Sequence, residues 1–293
     1  MSSPLRESLF IALQRMLPAR LLARLVYRAT RSRRPWLKDL LIRGFVRLYA
    51  VDISEAGAPV PAGYASFNAF FTRTLRPGAR PLAADPLALL SPADGTIQQV
   101  GSIRGDEILQ VKGLYYTTSE LLGGDAGRAA RYQDGCFVTI YLAPWNYHRV
   151  HMPLTGRVER MSHVAGELWS VNATTAARVP RLFARNERVV CHCAAPWGPF
   201  AVVLVGALNV GSVSTAWAGE VLPRRGGGTH WDYPPEVAVT RLGRGDILGQ
   251  FNMGSTVVLL LPPGAVRWRE GLAAGDRVRV GESLGRLLHP ATP

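Results

Sequence analysis

The Gly254-Ser255-Thr256 triplet has residue types that could carry out chemistry on the chain itself. With no Cβ, a glycine leaves its carbonyl open to approach, and the hydroxyl of a following serine can take the acyl group from its own nitrogen. If Ser255 then loses its Cα proton by β-elimination, the chain divides after Gly254 and residue 255 becomes an N-terminal pyruvoyl group. The alternative is an ordinary turn that enters the apolar run 257–261.

Three acid-base side chains precede the triplet, namely Asp94, His148 and His151. Histidine titrates near neutral pH, so it can both accept and return a proton. Side chains three residues apart in a strand point to opposite faces, so the two histidines can approach one site only if their segment is a loop. Pro144 and Pro153 flank the segment and favour a loop.

Further segments accompany these residues, at positions 67–73, 91–96, 141–153, 205–211 and 251–256. Taken together, they resemble the bacterial type of the phosphatidylserine decarboxylase family, from about residue 67 to the C-terminus. The specific part of the resemblance is the His-x-x-His spacing combined with Gly-Ser-Thr. The sequence departs from the family at Met253, where leucine is usual, and at Trp145-Asn146, and neither change removes a reactive group.

The resemblance implies a carboxy-lyase of phospholipid biosynthesis that converts phosphatidylserine to phosphatidylethanolamine. It implies a precursor that autocatalytic serinolysis divides into residues 1–254 and 255–293, with a covalent pyruvoyl cofactor made from Ser255. The ketone of that group would condense with the serine amine and accept the electrons released with carbon dioxide. The implied partners are phosphatidylserine, the other chain of the same precursor and a second copy in a homodimer.

The resemblance also implies a role for each of four residues. Ser255 would be the nucleophile that cleaves the bond after Gly254, and His151 would be the base that deprotonates its hydroxyl. Asp94 would fix the tautomer of His151 and stabilise its imidazolium form, as in a serine-hydrolase triad. His148 would donate a proton during turnover or contact the substrate carboxylate.

Other functions use some of the same residues. A pyruvoyl-dependent decarboxylase of another serine-headgroup lipid, or of an amino acid, fits the same motifs, and a noncatalytic membrane-binding protein fits only the basic N-terminus. A serine hydrolase is disfavoured because Ser255 enters a β run instead of a strand-to-helix elbow. A pyridoxal-phosphate enzyme needs a lysine, and of the two lysines, Lys38 and Lys112, neither accompanies a phosphate-binding glycine loop.

The three cysteines, Cys136, Cys191 and Cys193, are an odd number and predict no disulfide framework, which fits a reducing compartment. Cys191 and Cys193 flank His192, but no second ligand pair at zinc spacing accompanies them, so we expect no metal site. The sequence shows neither a secretory signal nor an apolar run long enough to span a bilayer.

The formal net charge of +13 is concentrated at the N-terminus, where residues 1–50 hold eleven basic and two acidic residues, a net of +9. Apolar residues recur there at spacings of three and four, and Pro4, Pro18 and Pro35 divide the region into three amphipathic helices. Arginine-rich amphipathic helices bind anionic membrane surfaces. We therefore expect peripheral attachment to the cytoplasmic face of the membrane, without nucleic acid as a partner. A helical cap with solvated arginines is the alternative, and both can hold.

The sequence predicts an α+β fold, with N-terminal amphipathic helices over residues 1–60 and a β-rich, barrel-sandwich-like catalytic domain over residues 61–293. A linker is expected at residues 51–64, and glycine-cornered hairpins of the barrel-sandwich type are expected near residues 92–96 and 275–285. A helix is expected over residues 66–75, with Ser66 as its N-cap and with Phe67, Phe70 and Phe71 on one face. Outside that region, short helix and strand signals alternate with Gly and Pro. They predict a helix at 118–122 and strands at 95–100, 108–111, 136–142, 156–161, 188–193, 200–205, 211–216, 236–240 and 255–261.

Overall fold

The computed structural model describes residues 11–14, 18–111, 113–208, 212–221 and 228–288. Within these residues the chain is an α+β protein, with helices at the N-terminus and a sheet-rich body, so the predicted fold class is confirmed. Residues 11–14 are helical. The other helices are α1 Ala19–Thr30, α2 Pro35–Tyr49, α3 Phe67–Phe71, α4 Thr118–Leu121, α5 Ala126–Ala129, α6 Ala173–Ala176 and α7 Leu182–Arg185, with 3-10 turns at Ala130–Tyr132 and Ala238–Thr240.

The strands of the described residues are short and separated by turns. They are β1 Ala88–Leu90, β2 Gly95–Ser102, β3 Glu107–Val111, β4 Leu114–Thr117, β5 Cys136–Leu142, β6 Arg149–His151, β7 Gly156–Val164, β8 Arg188–Ala195, β9 Gly198–Gly206, β10 Val213–Thr215, β11 Gly219–Val221, β12 Thr229–Asp232, β13 Arg241–Leu242, β14 Ile247–Phe251, β15 Ser255–Leu261, β16 Val266–Trp268, β17 Arg277–Val278 and β18 Ser283–Leu287.

The largest sheet is antiparallel and runs in the order β12-β7-β8-β9-β15-β5-β2-β17, with β13 paired to β7. Three smaller sheets have the orders β11-β10-β14-β6, β1-β18-β16 and β3-β4. The largest sheet ends at β12 and β17, so the described strands do not close it into a barrel. The body is therefore a set of open sheets packed on one another.

Strand β15 lies at the centre of the largest sheet because its residues are apolar on both faces. It pairs with β9 on one side and β5 on the other over its whole length. Val257, Leu259 and Leu261 pack with the small sheet that carries β14 and β6, whereas Val258 and Leu260 pack on the opposite face. Each such side chain contributes about 1.5–3 kcal/mol when fully buried, so this strand anchors the fold.

Helix α2 attaches the N-terminal region to the body. Pro35 begins the helix, and Ala50 ends it in the left-handed conformation with φ of 48°. The ring of Phe45 packs edge-on against Phe67 at a centroid distance of 5.2 Å, and Ile42 is fully buried beside it. The predicted division of helices at Pro18 and Pro35 is thus confirmed for α1 and α2. The first predicted helix lies largely outside the described residues.

Phe67, Phe70 and Phe71 share the buried face of α3, and Ser66 accepts the capping hydrogen bond from the Ala69 N–H, as predicted. The helix ends at Phe71, four residues earlier than the helical pattern indicated. Within the described part of the chain, no helix has the length and apolar character needed to cross a bilayer.

Three local predictions are wrong. The expected linker 51–64 is packed, because Val51 and Tyr64 are buried in the cluster around α3. The expected strand at 236–240 is replaced by the 3-10 turn Ala238–Thr240. The expected hairpin at 275–285 does not form, because β17 pairs with β2 while β18 pairs with β1 and β16. In each case long-range packing overrides a local signal.

Candidate active site

Ser255 begins β15 and lies between Leu142 of β5 and Gly206 of β9. Its side chain is 1% exposed, and its Oγ has no hydrogen-bond partner among the described residues. Side chains alternate along a strand, so Ser255 shares the face of Val257, which is covered by β14 and β6. The hydroxyl is therefore dry, unpartnered and directed toward the layer that carries His151.

The loop before Ser255 is fixed at both ends. The Phe251 N–H donates to the His148 carbonyl at 3.0 Å. Asn252, which is buried, donates through Nδ2 to the Oγ atoms of Ser212 at 2.7 Å and Ser214 at 3.0 Å. Both anchors lie on the N-terminal side of the Gly254–Ser255 bond, and the pairing of β15 with β5 and β9 holds the other side. Sequence reasoning missed the anchoring role of Asn252, although the residue stands in the same hexapeptide.

Open space adjoins the Cα of Gly254 within the described part of the chain. A Cβ built on Gly254 meets no atom of the described residues within 4 Å, and its φ lies outside the left-handed region. Crowding by the described residues therefore does not explain why residue 254 is a glycine.

His151 is held as a neutral imidazole. Its Nδ1 lies 2.7 Å from the Gly245 carbonyl, and because a carbonyl only accepts hydrogen bonds, Nδ1 carries the proton. Its Nε2 then accepts from the Tyr147 hydroxyl at 3.1 Å. Burial lowers the pKa of His151, whereas it raises the pKa of Tyr147 to about 12. The basic nitrogen of His151 is therefore available at neutral pH, with Tyr147 as its present donor.

Asp94 lies near His151 but binds other groups. The backbone N–H of His151 donates to the Pro92 carbonyl at 2.8 Å, two residues before Asp94 in the chain. The Asp94 carboxylate accepts from Arg80 Nη2 at 2.6 Å and Nε at 3.0 Å, and from the Val280 N–H at 2.8 Å.

This arrangement corrects the expectation that Asp94 fixes the tautomer of His151, because the Gly245 carbonyl does so. A two-point, charge-assisted bond from a guanidinium is stronger than a bond from a neutral imidazole, so Arg80 holds the carboxylate. Asp94 still raises the pKa of His151 through space. Asp94 precedes β2, which is two strands from β15, so roughly 10 Å separate its backbone from that of Ser255.

His148 ends the loop that follows β5 and is fully buried. Its ring lies 4.0 Å from the ring of Phe71, and its Nδ1–H donates to the Asn146 carbonyl at 2.9 Å. Its Nε2 has no partner among the described residues, and burial lowers its pKa to about 3. In this state Nε2 is an acceptor. The predicted loop is present up to His148, whereas the segment from Arg149 to His151 is strand β6.

The Cys191 and Cys193 thiols face the protein interior, where burial raises their pKa values. His192 points to the other face of β8 and is also buried. Across the described ranges, no three His, Cys, Asp or Glu side chains are grouped so that they could hold a metal ion.

Comparison with known proteins agrees with these motifs. A family model described as phosphatidylserine decarboxylase matches residues 67–286, and a model described as PSD matches residues 9–50. Curated relatives named phosphatidylserine decarboxylase proenzyme include one from Methylococcus capsulatus, 49% identical over 278 residues, which cover 94% of this chain and 96% of the relative.

A second relative of that name, from Acidovorax ebreus, is 53% identical over 272 residues, which cover 92% of this chain and 95% of the relative. A third, from Pseudomonas aeruginosa, is 50% identical over 280 residues, which cover 95% of this chain and 97% of the relative. The resemblance seen in the sequence is thereby confirmed, and the chain belongs to the phosphatidylserine decarboxylase family.

Proposed function

We propose that this chain cleaves itself between Gly254 and Ser255 and then decarboxylates phosphatidylserine to phosphatidylethanolamine. The observation that carries the proposal is the Ser255 hydroxyl, which is buried and unpartnered among the described residues at the entrance of β15. An unpaired buried hydroxyl costs about 1–3 kcal/mol. Thr256 has such a hydroxyl as well, so the position of Ser255 directly after Gly254 is what distinguishes it. The curated relatives are named as proenzymes, which supports a precursor.

In the cleavage step, Ser255 Oγ attacks the Gly254 carbonyl carbon, and the amide bond between the two residues breaks. His151 Nε2 takes the hydroxyl proton, once the Tyr147 hydroxyl has moved aside or relays it, and returns a proton to the leaving amine. Removal of the Ser255 Cα proton then expels the Gly254 carboxylate. Water then adds at the α-carbon of residue 255, and the nitrogen of that residue leaves as ammonia. The nearby Asp94 charge favours the imidazolium form of His151 during transfer.

The pyruvoyl group at residue 255 supplies a ketone that condenses with the substrate amine and takes up the electrons released with carbon dioxide. The buried position at the start of β15 fits such a group, because it keeps water away from the reacting carbon. His148 Nε2 has no partner among the described residues and would hold or deliver a proton, and the Phe251 N–H joins the His148 carbonyl to the loop before Ser255. Negative charge arriving with the substrate would raise the pKa of His148 and permit protonation.

The N-terminal helices would attach the protein to an anionic membrane on its cytoplasmic face. Trp36 is 65% exposed and Leu40 is 63% exposed on α2, close to Arg43 and Arg47. These four residues line one side of an open groove, which also contains Ile53 and Pro61. Apolar side chains beside arginines suit the boundary between headgroups and acyl chains. The homodimer implied by the resemblance stays part of the proposal.

Ser255→Ala tests the cleavage proposal. We expect the variant to stay one polypeptide without decarboxylase activity, whereas the natural chain separates into residues 1–254 and 255–293 and reacts with a hydrazine at the new terminus. Intact mass measures the division of the chain, and hydrazine labelling measures the carbonyl at the new terminus. Thr256→Val is the matched control, because Thr256 is also a buried, unpartnered hydroxyl among the described residues but faces away from His151. A cleaved Ser255→Ala protein would exclude Ser255 as the nucleophile.

A further inference from the structure

Arg73 is a buried cation with few partners. It follows α3, is 4% exposed, and donates through Nη2 to the Trp145 carbonyl at a long 3.4 Å. Its Nε and Nη1 have no hydrogen-bond partner among the described residues. A guanidinium has five N–H groups and stays charged, so this arrangement leaves most of its hydrogen-bonding capacity unused.

Two other arginines with little exposure, Arg188 and Arg80, have a partner for every side-chain nitrogen. Arg31 and Arg128 each have only one buried side-chain nitrogen, Nη1, without a hydrogen-bond partner among the described residues. Arg188 is 3% exposed, and its three nitrogens donate to four backbone carbonyls, those of Glu120, Leu121, Ala184 and Asn186. Arg80 is bound by Asp94 and Glu55. The fold thus provides partners where an arginine has a structural role, because a buried charge without partners is strongly unfavourable. Arg73 differs from Arg188 and Arg80 in this respect.

Arg73 lies beside the candidate active site. Its guanidinium carbon is 5.1 Å from the Phe70 ring centroid, and Phe71 on the same helix stacks on His148. The adjacent Thr72 carbonyl accepts from Arg149 Nε at 2.9 Å, which joins this segment to β6. The positive charge of Arg73 also acts on His148, where it contributes to the lowered pKa. The incompletely partnered Arg73 guanidinium and the unpartnered His148 Nε2 are therefore neighbours.

We propose that Arg73 binds an oxyanion of the substrate headgroup, either the phosphodiester or the carboxylate of phosphatidylserine. The inference rests on the proposed function and names the residue that would hold the substrate. Two N–H groups of a guanidinium fit two oxygens of a carboxylate or phosphate in one plane. The bound anion would offset the charge of Arg73, so the pKa of His148 would rise when substrate is present. Binding and readiness for proton transfer would thus be coupled.

Kinetics of the cleaved enzyme with soluble dihexanoyl phosphatidylserine test this proposal. We expect Arg73→Gln to be cleaved normally and to raise KM at least tenfold. Arg73→Lys keeps the charge but loses the paired N–H groups of the guanidinium, so we expect it to raise KM less. Arg76→Gln is the matched control, because Arg76 is exposed on the same segment and donates only a long bond to the Ala56 carbonyl among the described residues. Its KM should equal that of the natural chain.

Inhibition by dihexanoyl phosphatidylethanolamine, which has the phosphodiester but not the carboxylate, separates the two oxyanions. Weaker inhibition of Arg73→Gln would assign the phosphodiester, and unchanged inhibition with a raised KM would assign the carboxylate. A structural role would lower the melting temperature, as expected for Arg188→Gln, whereas we expect Arg73→Gln to melt at the same temperature or higher.

Unchanged KM and inhibition in an active Arg73→Gln enzyme would overturn the role of Arg73 alone. An uncut or inactive natural chain would overturn the proposed function, and this inference with it. If Arg73→Gln does not fold, Arg73→Lys carries the test, and a KM equal to that of the natural chain would then count against the proposal.

Discussion

Polar atoms without hydrogen-bond partners among the described residues gather near the start of β15. Ser255 Oγ, His148 Nε2 and two nitrogens of Arg73 are all buried in this region. Such atoms lower stability by about 1–3 kcal/mol each. Similar atoms occur elsewhere among the described residues, for example in Thr139 and His192, so what points to function here is the chemistry of Ser255, His148 and Arg73 together. His151 differs, because both of its ring nitrogens have partners.

The pH dependence of self-cleavage follows from the state of His151. The base must be neutral, and burial holds the pKa of His151 below its ordinary value of 6.5. We therefore expect the cleavage rate to decrease in acidic solution, with a midpoint below pH 6.5. Time courses of purified precursor, followed by intact mass at each pH, measure this.

His163→Gln is a suitable control for that profile, because His163 is buried in β7 and bonds to Glu187, away from β6. Its acid limb should coincide with that of the natural chain. An acid limb with its midpoint at or above pH 6.5 would argue against His151 as the base.

At the scale of elements, the N-terminal helices have two surfaces with different roles. The inner surface of α2 packs Ile42 and Phe45 against α3, so deletion of the helix would open the core cluster. The end of α1 is joined to the loop before Ser255, because Arg31 donates to Ser212 Oγ, which also accepts from Asn252. The helices are therefore both a cap on the body and a candidate membrane surface.

Substitutions on the outer surface of α2 test membrane binding without opening the core. We expect Trp36→Ser combined with Leu40→Ser to weaken binding to phosphatidylglycerol vesicles about tenfold or more, because each large apolar side chain contributes about 1.5–3 kcal/mol when fully buried. Vesicle co-sedimentation measures the affinity, and added salt should weaken it further. Tyr115→Ser, at an exposed position in β4, is the control. Equal binding by the double variant and the natural chain would mean that this surface has another use.

At the scale of the whole molecule, the smaller product of the proposed cleavage would stay part of the largest sheet. β15 belongs to residues 255–293, yet its neighbours β5 and β9 belong to residues 1–254. The two chains would therefore remain associated through a fully buried strand. The proposed cleavage after residue 254 would free one end of that strand without removing its pairing.

Buried histidines predict the pH dependence of the folded state. Burial lowers the pKa of His148 to about 3 and that of His192 to about 4, against 6.5 as the ordinary value. Below pH 6.5 the unfolded chain binds protons that the folded chain does not, so the free energy of unfolding falls. Each histidine accounts for roughly 2 kcal/mol between pH 6.5 and 5.

Urea unfolding of the uncut Ser255→Ala protein at pH 8, 6.5 and 5 measures this loss. We expect little change from pH 8 to 6.5 and a clear decrease from 6.5 to 5, which His192→Gln makes smaller. His230→Gln changes an exposed residue of β12 and should leave the loss as it is. Constant stability across the acidic interval would show that these histidines are protonated in the folded protein.

Local signals in the sequence determined the features that depend on neighbouring residues. The apolar run of β15, the Ser66 cap and the shared face of Phe67, Phe70 and Phe71 follow from periodicity and capping, which act within a few residues. The family was also identifiable, because its motifs are short and contain the reactive residue types.

Only the tertiary structure decided how the site residues are partnered. The Gly245 carbonyl that fixes His151 lies 94 residues away in the chain, and the Val280 N–H that binds Asp94 lies 186 residues away. No spacing rule connects such positions, because sheet pairing brings them together. The same holds for Arg73, whose missing partners become apparent only when everything packed around it is known.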